Sequence, residues 1–252
     1  MKVCVLSSGS KGNTTYIETK KTKILLDCGN SAKYILDRLQ ELNTTPDEID
    51  AIFITHVHSD HIKGLPVLIK KIKSPVYITE KMHKYLDYLD NYKYISEQEI
   101  AIKDITINTI KTSHDTDDSL GYIITNNNKS VVYLTDTGYI NKKYYPILTN
   151  RDLYIFESNH DIEMLNNGPY PFELRKRILS DKGHLSNYDS AKYLSMFIGN
   201  STKKIILFHL SEENNTPELA LNTLKERLAK EKINFENITI AKQNKRTELI
   251  DV

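Results

Sequence analysis

Tryptophan is absent from this chain of 252 residues, and cysteine (2), methionine (4), phenylalanine (6), proline (7) and glycine (9) are all scarce. Two cysteines allow at most one bridge, and Cys4 and Cys28 stand in no C-x-x-C or zinc-ribbon spacing, which excludes a disulfide scaffold. Both read as reduced, buried thiols. With so little glycine and proline, and 39% hydrophobic residues, collagen-like and disordered chains are excluded too. Charge of one sign is also missing. Lys+Arg number 34 against 33 Asp+Glu, a net +1, so nothing pulls the whole chain toward nucleic acid or acidic membranes, and any DNA groove has to be a local patch. No apolar run approaches a membrane span, and Val3–Leu6 is far too short for a signal-peptide core, so a cytoplasmic protein without membrane contact is expected. Repeats, low-complexity tracts and linkers are lacking, which leaves one domain over residues 1–252 as the expectation.

What is present is a series of short apolar runs of strand length: Val3–Leu6, Ile24–Leu26, Ile52–Ile54, Val76–Ile78, Ile105–Ile110, Tyr122–Ile124, Val131–Leu134, Leu153–Phe156 and Ile205–Phe208. Thr15–Glu18 with Lys23–Leu26, and Tyr122–Thr125 with Val131–Leu134 across the Asn126-Asn127-Asn128 turn, read as hairpins. Helical spacing follows Ser31 (Ile35, Leu36, Leu39), runs from Asp60 to Ile72 and from Met82 to Leu89, and returns at Ser186–Phe197 and Pro217–Lys230. The pattern implies an α/β (α+β) protein whose sheets are covered by helices on their outer faces.

Chemistry enters at His56-Val57-His58-Ser59-Asp60-His61, directly after Ile52–Ile54. In a segment leaving a strand, residues i and i+2 point the same way, so His56 and His58 can grip one ion while Asp60 and His61 turn toward a second. Other candidate ligands also end apolar runs: Asp27 after Ile24–Leu26, His114 after Ile105–Ile110, Asp136 after Val131–Leu134 and His209 after Ile205–Phe208. Strand ends converging on one rim of a sheet are where α/β proteins build sites. Taken together they point to a dinuclear metal centre. Of the eight histidines only His83 lacks such a setting, and it reads as a plain surface residue.

The order Asp27, His56-x-His58-x-Asp60-His61, His114, Asp136, His209 resembles the five motifs of the metallo-β-lactamase superfamily over nearly the whole chain. That resemblance implies an αββα sandwich, two mixed β-sheets face to face with helices outside. It also implies that His56, His58 and His114 hold one ion, Asp60, His61 and His209 the other, Asp136 bridges them, and Asp27 orients the ligand loop. Gly183-His184-Leu185-Ser186-Asn187 followed by His209-Leu210-Ser211 is similar to the paired histidine segments of tRNase Z-like phosphodiesterases, which use a histidine at the position of His184 near the scissile phosphate. With Ser8–Asn13, Thr135–Tyr139 and Glu157–Asp161, the likeness is specific to the YycJ/WalJ branch. It implies a 5′-to-3′ exonuclease on double-stranded DNA, linked to mismatch repair and encoded near a cell-wall two-component system, whose proteins are the partners it suggests.

A phosphodiester suits such a centre, since two ions can activate a shared water and steady the attacking and leaving oxygens. Asp60 and His184 are the candidate catalytic residues, His184 assisting the leaving oxygen; His160 either supports His184 or contacts substrate, or is a buried, hydrogen-bonded structural histidine. Ser10, Lys11 and Asn13, in Ser7–Asn13, are candidates for holding phosphate through a glycine-rich nest, the alternative being a tight hairpin turn. Arg175-Lys176-Arg177 and Lys70-Lys71-x-Lys73 could track a DNA backbone with little sequence preference, or be solvated helix faces. Tyr34, Tyr139, Tyr144, Tyr145 and Tyr170 are candidates for base stacking, although most of the 16 tyrosines read as packing residues. Imidazole with carboxylate suits two divalent ions, zinc or manganese first and iron next. Two further readings stay open: a small-molecule hydrolase acting on a lactone, thioester or cyclic phosphate, and a metal-containing regulatory protein.

Overall fold

In the computed structural model, which describes residues 1–252, alternation along the strands divides the buried side chains between two layers. The first sheet contains β1 (Lys2–Ser7), β2 (Thr14–Glu18), β3 (Lys23–Leu26), β4 (Ala51–Phe53), β5 (Val76–Ile78) and β6 (Tyr92–Tyr94) in that spatial order. The second contains β7 (Glu99–Ile102), β8 (Ile105–Lys111), β9 (Leu120–Asn126), β10 (Lys129–Leu134), β11 (Leu153–Glu157), β12 (Lys204–Phe208) and β13 (Ile238–Ile240), in reverse spatial order. The C-terminal β14 (Ile250–Asp251) returns to pair with β1. Each sheet is antiparallel in its first part and parallel beyond β3 and β10. Parallel pairs need crossovers, and helices supply most of them.

Period-two burial shows why this is a sandwich. Val131 and Tyr133 of β10, Leu153 and Ile155 of β11, and Ile206 and Phe208 of β12 point to the 40-residue core shared by both sheets. Their neighbours Val132, Leu134, Tyr154, Phe156, Ile205 and Leu207 point the other way, into an 18-residue core under α8 (Asn187–Phe197) and α9 (Pro217–Lys230). On the first sheet α1 (Ala32–Glu41), α2 (Ser59–Ile62), α3 (Leu65–Leu68) and α4 (Glu80–His83) follow the parallel strands. The architecture is the αββα sandwich expected from the resemblance, and no helix is long and apolar enough to cross a membrane.

Local chemistry sets the helix starts. Ser31, Ser186 and Thr216 each accept a hydrogen bond from the third residue beyond them, and Pro217 occupies the first turn of α9. Two helical expectations need correction. The stretch Asp60–Ile72 is two single turns, α2 and α3, split at Gly64 with Pro66 at the start of the second, and Met82–Leu89 is helical only through His83. Its apolar residues Leu86 and Leu89 are still buried, but on turns. Three short helices escaped the periodicity altogether: α5 (Tyr145–Leu148), α6 (Ile162–Asn167) and α7 (Phe172–Ile178). His83 is half-buried at the surface, where its Nδ1 is 2.6 Å from the Tyr94 hydroxyl and its ring lies 4.3 Å from that of Tyr92.

Candidate metal centre

The parallel strands all aim their C-terminal ends at one rim, and the loops leaving those ends carry the site. Asp27 follows β3, Thr55–His61 follows β4, Asp136 lies just past β10, Glu157 ends β11 and His209 follows β12, while His114 comes from the loop after β8. Asp27, Asp136 and His209 have φ of +58°, +51° and +56°. Left-handed backbone at a residue other than glycine costs on the order of 1–3 kcal/mol and gathers at functional sites. Here it turns the chain immediately after three different strands.

The donor atoms fall into groups within 4.8 Å of one another: His56, His58 and His114; Asp60, His61, Asp136 and His209; and Asp136, Glu157, His184 and His209. Asp136 links them. Its carboxylate is 3.0 Å from His209 Nδ1, 3.2 Å from His61 Nε2, 3.6 Å from His114 Nε2, 3.7 Å from His184 Nδ1 and 3.9 Å from His56 Nε2. Several contacts fix which nitrogens are bare. Carbonyl and carboxylate oxygens only accept, so His114 Nδ1–H donates to Gly183 O at 3.1 Å and His61 Nδ1–H to Asp27 Oδ2 at 2.8 Å. The Nε2 atoms of both rings keep their lone pairs for the cleft in the neutral form. His114 Nε2 then stands 3.1 Å from His58 Nδ1, and His56 Nε2 is buried with no partner at all. Converging lone pairs, an orphaned buried nitrogen and a donor set of imidazole and carboxylate fit divalent metal ions.

Electrostatics point the same way. Burial, reinforced by neighbouring imidazoles, holds His56 well below its ordinary range, and burial lowers His58 and His114 as well. Burial would lower His61 and His209 too, but the carboxylates led by Asp136 outweigh it and raise both. Asp136 itself would be raised by burial, yet the surrounding histidines bring it well down. Ion binding at such a site releases protons, because a ligating imidazole must be neutral.

Behind the donors, Asp27 is fully buried and receives Thr55 N at 2.8 Å and Tyr133 OH at 3.1 Å as well as His61. Asn13 departs from its expected role as a phosphate contact. It is fully buried, its Nδ2 donates to Asp60 Oδ2 at 3.1 Å and approaches His61 Nε2 at 3.1 Å, and its Oδ1 accepts from Gly9 N at 2.8 Å. The N–H groups of Gly9, Lys11, Gly12 and Asn13 are all spent inside the protein, so Ser7–Asn13 is a turn and not an anion nest. The Lys11 ammonium pairs with Glu212, whereas Ser10 lines the cleft. Gly29 packs where nothing larger fits: a Cβ there would lie 1.6 Å from the carbonyl oxygen of Asp60. Gly29→Ala is therefore expected to cost about 3 kcal/mol in urea unfolding; wild-type stability would show that this loop yields.

Glu157 is the site residue that sequence reasoning missed. It enters the sequence reading only as the first residue of the segment Glu157–Asp161, yet its fully buried carboxylate accepts His184 Nδ1–H at 2.7 Å, Thr137 N at 3.0 Å and Leu185 N at 3.2 Å. Burial alone would raise it, but His184 and His209 bring it down to about 2, so it is ionised at neutral pH. The available signal was its position at the end of an apolar run, shared with the other candidates.

His160 makes no hydrogen bond to His184. It is 1% exposed, neither ring nitrogen has a partner, and burial, aided by the His184 charge, pushes it down to about 4. An unfolded chain takes up this proton near pH 6.5 while the folded one refuses it until about pH 4, so stability falls as pH drops through that window. His160→Gln is expected to remove up to about 3 kcal/mol of this acid sensitivity in urea unfolding between pH 7 and 4.5. An unchanged pH slope would contradict it.

The cleft is a cavity of about 200 Å³ whose lining includes His58, Asp60, Asp136, His184 and His209 together with Tyr170, Leu174, Arg177 and Ile178. Arg177 pairs with Asp115, itself 3.3 Å from His114 Nε2. Lys70–Lys73 lies between α3 and β5 and is not among the residues that line the cleft. Of the tyrosines, Tyr170 lines the cleft, whereas Tyr34 bonds Leu6 O, Tyr144 bonds Glu97 and Tyr145 packs on Phe197.

Residues 22–210 match the family described as the beta-lactamase superfamily domain. The chain is 45% identical over 237 residues to exodeoxyribonuclease WalJ of Streptococcus pneumoniae, covering 90% of this chain and 88% of that protein. It is 39% identical over 223 residues to exodeoxyribonuclease YycJ of Bacillus anthracis, covering 86% and 84%. Among solved structures, YhfI of Bacillus subtilis superposes with a TM-score of 0.77 at 19% identity over 98% of both chains, and the short form of human tRNase Z with 0.68 at 16% over the whole of both. Those two likenesses show the fold alone. With a sandwich, a convergent rim and relatives this similar along nearly all its length, the chain belongs to the metallo-β-lactamase superfamily, in the branch of the exodeoxyribonucleases WalJ and YycJ.

Proposed function

We propose that this protein is a dinuclear-metal phosphodiesterase that degrades double-stranded DNA from its 5′ end and acts in DNA repair. The observation that carries the reading is the single Asp136 carboxylate set among five histidines, with the His184–Glu157 pair on the same cleft. The printed names of the two similar relatives supply the DNA substrate. A DNA substrate in turn favours the cytoplasm. A core shared by both sheets supports residues 1–252 as one domain.

In this reading His56, His58 and His114 hold one ion, Asp60, His61 and His209 the other, and Asp136 faces both. Zinc and manganese suit the donors first, iron next. When bound, the two ions supply Lewis acidity to the phosphate oxygens and lower the pKa of a shared water. The chain's own residues do the rest. Glu157 fixes the His184 proton on Nδ1 and holds the ring toward the cleft, so that the opposite nitrogen, Nε2, can carry the proton to the departing oxygen. Asp27 holds His61 by its outer nitrogen, and Asn13 steadies Asp60. Tyr170, Leu174 and Ile178 give the cleft its apolar part.

The test is a time course on linear duplex DNA labelled separately at its 5′ and 3′ ends, with manganese, zinc or chelator. Short products should leave the 5′ label first, and both chelator and His58→Ala should stop them. Absence of cleavage in either metal, with two ions bound per chain, would end the DNA reading in favour of small phosphodiesters.

A further inference from the structure

His58 and His114 line two cavities, the cleft of about 200 Å³ and a second one of about 540 Å³, so their rings are a wall that the two share. The loop before α8 reaches both. His184 lines the cleft, Lys182 lines the second cavity, and the carbonyl of Gly183 between them accepts His114 Nδ1–H at 3.1 Å. The Arg177–Asp115 ion pair joins the cavities again, since Arg177 lines the cleft and Asp115 the second cavity.

Charge in the second cavity favours an anion. Of the carboxylates in its lining, Asp115 is taken by Arg177, and Asp117 by Lys84 and by the Tyr85 hydroxyl at 2.7 Å. Lys182 is exposed and enters no ion pair, which leaves its charge free. Val57 and Tyr85 add apolar surface, the Tyr85 ring being 49% exposed and held by its hydroxyl. A free cation beside apolar surface suits the phosphate and the nucleoside of a nucleic-acid strand.

A phosphodiester has two ester oxygens, and a chain continues from each. In hydrolysis hydroxide joins phosphorus, the bond to the ester oxygen beside His184 breaks and that oxygen takes the His184 proton, while the other ester oxygen stays on the phosphate. The departing segment therefore lies in the cleft with His184, and the segment that keeps the phosphate needs a second place. Degradation from a 5′ end releases a short piece and retains a long one, which matches the smaller cavity and the larger.

We propose that the second cavity is the subsite of the retained strand, which keeps a 5′-phosphate after each cut, with Lys182 on its next phosphate and the nucleoside between them along Val57 and Tyr85. This rests on the phosphodiesterase reading and gives it a direction in space: the terminal nucleotide departs by its 3′ oxygen through the cleft, and the DNA remains in the second cavity.

Thymidine 5′-phosphate and 5′-phosphorylated dithymidylate differ by one nucleoside and one phosphate on the side of the second cavity. Both are titrated by calorimetry into the manganese-loaded full chain carrying His184→Ala, so that the dinucleotide persists. The dinucleotide should bind about tenfold tighter. Adding Lys182→Ala should cut that preference to about twofold, and Lys182→Arg should keep it; the side chain is exposed, so the fold tolerates both. Equal affinity for the two ligands, or a preference that Lys182→Ala leaves intact, would overturn the proposal. The preference, found in a protein whose wild type cleaves no end-labelled DNA, would defeat the nuclease reading and leave the subsite standing. Cleavage of DNA without the preference would do the reverse.

Discussion

Replacing Asp136 with asparagine is expected to lower kcat/KM on end-labelled duplex DNA by at least about a thousandfold, equivalent to about 4 kcal/mol of transition-state stabilisation. The reason lies in how much one side chain does. Its carboxylate stands 3.0 to 3.9 Å from the nearest nitrogens of five different histidines, so losing its charge removes the counter-ion of the whole cluster. Metal content by mass spectrometry should fall below two ions per chain in the same variant. Asp136 is 2% exposed with a φ of +51°, a conformation asparagine also tolerates, so the backbone can persist while the chemistry goes. A loss smaller than about tenfold would show that Asp136 is not shared between the ions.

Glu157→Gln should lower kcat on DNA by about a hundredfold with little change in KM. The geometry makes the direction clear. One carboxylate oxygen takes the backbone N–H of Thr137 and Leu185, and the other takes the imidazole proton of His184. A glutamine that keeps its oxygen on the two backbone donors turns its NH2 toward His184 Nδ1, so the ring can no longer hold a proton on both nitrogens, and a neutral imidazole is a poor acid for the departing oxygen. A positioning role has a signature that mere structural damage lacks. On a phosphodiester with a p-nitrophenolate leaving group, which departs without a proton, the deficit should shrink to less than about fivefold. An equal deficit on both substrates would mean that Glu157 only maintains the fold.

The cluster of candidate ligands was legible because metal chemistry demands particular side chains and the strands deliver them in a readable way. His56, His58, Asp60 and His61 sit in one loop after an apolar run, and His114, Asp136 and His209 each follow another, so pattern and chemistry coincide. Nine apolar runs became strands for the same reason, and the alternation of β10, β11 and β12 between two cores follows from their sequence. What escaped depends on contacts between distant residues. Glu157 becomes the partner of His184 only once β11 and the loop before α8 meet, a separation of 27 positions. Asn13 looked like a substrate contact because its loop is rich in glycine, but its oxygen is taken by Gly9 N of that same loop and its NH2 by Asp60 in the loop after β4. The left-handed backbone at Asp27, Asp136 and His209 leaves no mark in composition. Short helices such as α5, α6 and α7 hold one or two turns and show too few residues for a period to emerge.

The most direct measurement on the centre is anomalous diffraction from a crystal of the full chain grown with manganese, recorded at the metal edge. Two peaks about 3.5–4 Å apart, one facing His56, His58 and His114 and the other Asp60, His61 and His209 with Asp136 between them, are the expected result. One peak, or none beside Asp136 in protein that still degrades DNA, would contradict the shared two-ion centre.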